Sequence, residues 1–112
     1  MTFNPDEIKE ITVQELKSLK DKKADFQLID VREKKEYDLA EIGGLLIPLA
    51  EILNHADQID KTKQVVVHCR SGRRSANAIL ELQRKFGFTN LFNLKGGIIA
   101  WSQEIDPSIP EY

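Results

Sequence analysis

Sulfur and histidine are scarce in this sequence, which has one cysteine, one methionine and two histidines among 112 residues. A single cysteine forms no intrachain disulfide, so the fold does not depend on an oxidising compartment, and a cytoplasmic location is expected. His55 and His68 are thirteen residues apart, and with Cys69 they make none of the usual metal-ligand spacings, so neither a metal nor a cofactor is expected. Long apolar runs are missing too: residues 1–11 contain no basic stretch followed by an apolar one, and aliphatic runs elsewhere last only a few residues. Neither a secretory signal nor a membrane span is expected. There is also no excess of positive charge, with 16 Lys and Arg against 18 Asp and Glu and a formal charge of −2. That balance excludes a general nucleic-acid binder, which relies on many phosphate contacts from a basic face, and any anion recognition must be local.

A hydrophobic content of 41% at this length predicts one domain over residues 1–112, with a core from about 11 to 103 and a Pro-containing tail, 106–112, that packs on the surface or frays. Thr12 and Glu15 have capping-box spacing and predict a helix to about Lys20. Phe26 to Asp30 reads as a buried strand, Glu33 to Tyr37 as a charged helical turn, and Leu45 to Ile47 as a short apolar strand stopped by Pro48. A helix is expected from about Leu49 to Ala56. Val65, Val66 and Val67 form the clearest strand, because the run is β-branched throughout. Ala76, Ile79, Leu80 and Phe86 then fall at helical spacing, with Gly87 in C-cap position. Leu91 to Asn93 gives another strand, Gly96 and Gly97 a tight turn, and Ile98 to Gln103 a last helical segment. Short strands alternating with helices predict an α/β domain whose mainly parallel sheet is covered on both faces. Ligands in such sheets bind beyond the carboxyl ends of the strands, where Cys69 lies.

A lone cysteine is often a small buried hydrophobe. Here the apolar run stops at His68, and Arg70, Ser71, Gly72, Arg73 and Arg74 follow, a set that no core accepts unpaired. The segment Cys69 to Arg74 would close into a helix starting near Ser75, so that N–H groups of the loop and of the first helical turn converge on one point. Those dipoles, with Arg70, Arg73 and Arg74, would lower the pKa of a thiol placed there. Gly72 lets the backbone turn. Any of the arginines could instead be a solvated surface charge, Arg73 first among them. Arg74, at the junction of loop and helix, is expected to point into the cradle.

Two chemistries suit a cysteine in such a cradle: attack on phosphorus and attack on sulfane sulfur. Cysteine phosphatases have the pattern H-C-x-x-G-x-x-R-[S/T], with five residues between Cys and Arg. His68, Cys69 and Gly72 fit it, but four residues separate Cys69 from Arg74, and Ser75 stands where the phosphatase arginine belongs. At this point the chain resembles the rhodanese-like sulfurtransferases, from about Ile11 to Trp101. The resemblance rests on Leu28 to Glu33 with Glu36 and Tyr37, on VVVHCRSGRRSA from Val65, and on Gly87 to Asn90 leading through Leu94 to Trp101.

This resemblance implies a five-stranded, mainly parallel sheet, a six-residue loop of the sulfur-transferring class and a persulfide on Cys69. It also implies that Asp30 and Arg32 brace the site by pairing with loop groups. Glu41 to Pro48, in place of the frequent His-Ile-x-Gly-Ala, looks more like the rhodanese domain at the C-terminus of ubiquitin-activating-like adenylyltransferases. The implied partners are therefore a small sulfur donor such as thiosulfate, or a cysteine desulfurase, with a thiophilic acceptor that includes sulfur-carrier proteins. Trp101 reads as a packing residue. His68 reads as structural and not as a base for Cys69, because neighbours in a strand point to opposite faces. A cysteine phosphatase or arsenate reductase, or a non-catalytic interaction module, are the alternatives.

Overall fold

The computed structural model describes residues 2–112. Five strands, β1 (Lys9–Ile11), β2 (Phe26–Asp30), β3 (Leu45–Leu46), β4 (Gln64–His68) and β5 (Leu91–Leu94), form one sheet in the order β1-β5-β4-β2-β3. Every pairing is parallel. Four helices cover it: α1 (Val13–Asp21), α2 (Lys34–Leu39), α3 (Arg73–Phe86) and α4 (Gly97–Glu104). This is the expected α/β architecture with both faces of the sheet covered.

The centre of the sheet follows from its sequence. Val65, Val66 and Val67 are wholly buried, and alternation sends their side chains to opposite faces. Val65, Val67 and Cys69 pack with Ile29, Ile52, Ile79, Leu82 and Leu91. Val66 packs on the other side with Leu16, Leu28, Leu94, Ile98 and Trp101. Burying each valine is worth about 1.5–3 kcal/mol, so the central strand is a rigid mount for whatever follows it.

α1 starts at the predicted cap: the Glu15 N–H donates to Thr12 Oγ1 at 3.1 Å, and the Thr12 N–H donates to Glu15 Oε1 at 2.9 Å. The register of β2 against β4 sets Asp30 opposite His68, and that of β4 against β5 sets Val67 opposite Asn93. Three polar side chains are thereby gathered at the carboxyl edge.

Three expectations require correction. The segment expected to be helical from Leu49 to Ala56 forms two single 3₁₀ turns, Leu49–Glu51 and Ala56–Gln58. The Leu49 N–H is drawn back to Val31 O at 3.0 Å, extending the pairing with β2, and Asn54, His55 and Asp57 favour turns over a continued helix. Phe86 is half exposed; Phe88, beyond the Gly87 cap, takes the core position. α3 begins at Arg73, two residues before the expected start, so both Arg73 and Arg74 lie in its first turn.

Candidate active site

Cys69 follows directly on β4 and its residue is 1% exposed. The Gly72 N–H donates to Sγ at 3.1 Å and Ser75 Oγ lies 3.4 Å from it. Gly72 has φ +108°, a left-handed conformation that side chains rarely adopt, and this turn aims its N–H back at the sulfur. The base of the loop is held by α4: Ile98 N–H donates to Cys69 O at 3.0 Å and Ile99 N–H to Arg70 O at 3.2 Å. This close approach requires Gly97, whose Cβ, if present, would lie 2.4 Å from Arg70 O.

Burial pushes the Cys69 thiol up, but hydrogen bonds from the Ser75 hydroxyl and from the N–H groups of Ser75, Gly72 and Ser71 together bring it below the ordinary thiol value. Ser75 and Asn93 are the residues that sequence reasoning missed. Ser75 Oγ donates to Asn93 Oδ1 at 2.6 Å, and Asn93 Nδ2 donates to Gly72 O at 3.0 Å, so Asn93 ties the loop to the helix. The hydroxyl has one proton for two acceptors, Asn93 Oδ1 and Sγ. The only sequence signal for Asn93 is a polar residue inside a buried strand, and it does not reveal what the side chain meets.

The arginines are arranged differently from expectation. Arg74 forms a two-pronged pair with Glu36, at 2.6 Å and 2.9 Å, and does not hydrogen-bond the sulfur. The pairing lowers the Glu36 carboxyl to about 2 and raises the Arg74 guanidinium. Arg74's charge still attracts the Cys69 thiolate, more weakly than the hydrogen bonds do. Arg70 is exposed and turned to Tyr112, its Nε donating to the Tyr112 main-chain oxygen at 2.6 Å. Arg73 is exposed. Donors fixed in the loop hold the sulfur, while the guanidiniums engage other groups.

Asp30 and Arg32 are both fully buried and pair with each other, with 2.7 Å between Arg32 Nη2 and Asp30 Oδ2. They do not pair with loop groups, as the resemblance had implied. Arg32 also donates to Ala40 O at 2.7 Å and to the Tyr112 hydroxyl at 2.8 Å. Its donors therefore face α2 and the tail. His68 is buried, with Nδ1 3.2 Å from Cys69 O and Nε2 3.5 Å from Asp30 Oδ2, so its polar contacts are away from the sulfur. Desolvation pushes its pKa down against the pull of Asp30. Among the described residues, no group of three or more His, Cys, Asp or Glu side chains could hold a metal ion, and no helix is long and apolar enough to cross a membrane.

The family model of the rhodanese-like domain matches residues 12–104. The chain belongs to the rhodanese-like family. Its rhodanese-like sequence is 33% identical over 105 residues to the probable adenylyltransferase/sulfurtransferase MoeZ of Mycobacterium tuberculosis, an alignment covering 91% of this chain and 26% of that protein. It is 32% identical over 100 residues to the putative sulfur carrier protein YrkF of Bacillus subtilis, covering 88% of this chain and 54% of that one. The chain thus spans from about a quarter to about half of these relatives' lengths. Among solved structures, a rhodanese-like domain protein from Staphylococcus aureus superposes with a TM-score of 0.78 at 30% identity, over 88% of this chain and 95% of that chain.

Proposed function

We propose that this rhodanese-like chain is a sulfurtransferase that carries sulfane sulfur as a persulfide on Cys69. The observation that carries the reading is the set of donors around Sγ: the Gly72 N–H at 3.1 Å and the Ser75 hydroxyl at 3.4 Å, in a loop with four residues between Cys69 and Arg74. A loop of this size suits a single sulfur anion better than the oxygens of a phosphate. In the first step the Cys69 thiolate attacks the outer sulfur of a donor such as thiosulfate or a protein persulfide. One S–S bond forms as another breaks, and sulfite or the donor thiolate leaves with the electron pair. The N–H groups of Ser71, Gly72 and Ser75, which favour the thiolate, are then available to the charge of the persulfide. In the second step an external thiophile takes the outer sulfur and Cys69 departs as a thiolate. Because the sulfur moves at the sulfane level and each bond broken is matched by one formed, the transfer needs no redox cofactor.

Cys69 is the one cysteine of these 112 residues, so no thiol among them can resolve the persulfide, and the acceptor lies outside them. The relatives named as an adenylyltransferase/sulfurtransferase and as a putative sulfur carrier support a protein partner at one of the two steps. Incubation with thiosulfate, with mercaptopyruvate and with a persulfidated cysteine desulfurase, followed by intact and peptide mass spectrometry, tests the reading. At least one donor is expected to leave one extra sulfur on Cys69, removable in a single step by cyanide, and Cys69→Ser is expected to load none. Failure of all donors would favour a non-catalytic interaction module. Hydrolysis of an aryl phosphate by the wild type would favour phosphorus chemistry.

A further inference from the structure

The tail ends in a set of contacts that the sulfur chemistry does not use. The Tyr112 hydroxyl accepts from Arg32 Nη1 at 2.8 Å and donates to Glu36 Oε2 at 2.9 Å. Its ring centroid lies 5.2 Å from the Arg70 guanidinium carbon and 5.7 Å from that of Arg32, so one aromatic ring serves two cations. The Tyr112 main-chain oxygen accepts from both Nε and Nη2 of Arg70. Two contacts hold the preceding residues: Ser102 Oγ donates to Ile109 O at 2.5 Å, and Gln103 Nε2 donates to Glu111 Oε1 at 2.7 Å. Arg70 is next to the nucleophile in the chain and is exposed, so a donor's negative charge can reach it. Its fork of donors, suited to an oxyanion, is filled by a group of the chain itself.

We propose that Tyr112 is a specificity-determining strap, competing with small anionic sulfur donors for the N–H groups of Arg70 and swinging away before such a donor binds. The proposal rests on the sulfurtransferase reading for the identity of the anion, though not for the competition. The phenol anchors the strap through Arg32 and Glu36, and the main-chain oxygen makes the competing contact. Glu36 Oε2 accepts from both the Tyr112 hydroxyl and Arg74 Nη2, so departure of the strap leaves that oxygen to Arg74 alone.

The test compares alkylation of Cys69 by anionic iodoacetate and by neutral iodoacetamide at low ionic strength, in the wild type, in Tyr112→Ala and in a chain ended after Ile109. The shortened chain keeps Ile109, which packs on the core, and loses the strap. Both variants are expected to raise the iodoacetate-to-iodoacetamide rate ratio roughly three-fold, the scale of one exposed charged contact. They are also expected to lower KM for thiosulfate by a similar factor with kcat unchanged. Tyr112→Phe keeps the ring and should fall between wild type and Tyr112→Ala. An unchanged or lowered ratio in both variants overturns the strap, since a residue that merely positions Glu36 and Arg74 would not free Arg70. The ratio needs no sulfur transfer: a raised ratio in a protein that no sulfane donor loads would keep the strap and sink the sulfurtransferase reading. An unchanged ratio in a protein that does load would do the reverse.

Discussion

Between Cys69 and Ser75, the groups aimed at the sulfur are main-chain N–H donors and one hydroxyl. Beside them, Asp30, Arg32, Glu36, Arg70, Arg74 and Tyr112 make their short polar contacts with one another. One half of the site works with dipoles, the other with charges. The difference lies in what each half can be asked to do. Dipoles fixed by backbone geometry hold the same position at every pH and need no counter-charge, which suits them to a nucleophile that must be ionised while buried. Full charges would have to be desolvated to reach the same point; here Asp30 and Arg32 are buried against each other, and it is Arg70 that is exposed, where it can meet an incoming anion or a partner.

The largest effect expected from separating the two halves concerns stability. Arg32→Met leaves the fully buried Asp30 carboxylate without its partner. The loss in urea denaturation is expected to be about 3–5 kcal/mol, as for other buried pairs broken on one side. In the fraction still folded, the alkylation midpoint of Cys69 should be unchanged, because Arg32 makes no contact with the loop. A stability loss below about 1 kcal/mol, or a moved thiol midpoint, would break the comparison.

A smaller effect is expected at the pair of Arg74 and Glu36. The Glu36 carboxyl is lowered in the folded state, to about 2 from an ordinary 4.5, first by its hydrogen bonds from Arg74. A group depressed on folding contributes stability that is complete above its unfolded pKa and lost as pH falls through its folded one. The contribution of Glu36 should therefore be whole above about pH 4.5 and vanish as pH falls through about 2. Carboxyl titration by NMR should place Glu36 near 2 in the wild type, and Arg74→Ala should return it toward 4.5. No change in that variant would mean that something other than Arg74 holds the carboxylate.

The dipolar half was more legible in the sequence than the charged half, for a physical reason. A β-branched strand, a cysteine at its end, a glycine three residues on and a helix after that are consecutive, so the N–H cradle is a local consequence of chain geometry. Buried runs such as Phe26 to Asp30 and Leu91 to Asn93 are likewise read from composition alone. β1 was not, because Lys9–Ile11 is a three-residue edge strand with two charged side chains and is defined by its register on β5. Partner choice among charges is tertiary. Glu36 reaches Arg74 across 38 residues and Tyr112 across 76, separations at which sequence spacing carries no signal. Asn93 escaped notice for the same reason, being 18 residues from the hydroxyl it binds.

The pH profile of Cys69 alkylation by neutral iodoacetamide tests most directly whether hydrogen bonds, more than Arg74, lower the Cys69 thiol. The comparison is among the wild type, Ser75→Ala and a triple variant with Arg70, Arg73 and Arg74 changed to Ala. The wild-type midpoint should lie below the ordinary thiol value of about 8.5. Ser75→Ala, which removes the hydroxyl beside Sγ, should raise it, because a hydrogen bond to the charged form is lost. The triple variant should raise it by less, that smaller rise reflecting the loss of Arg74's attraction for the thiolate. A triple variant whose midpoint returns to the free-thiol value, beside a Ser75→Ala variant that titrates like the wild type, would contradict the account and return the ionisation of Cys69 to the arginines.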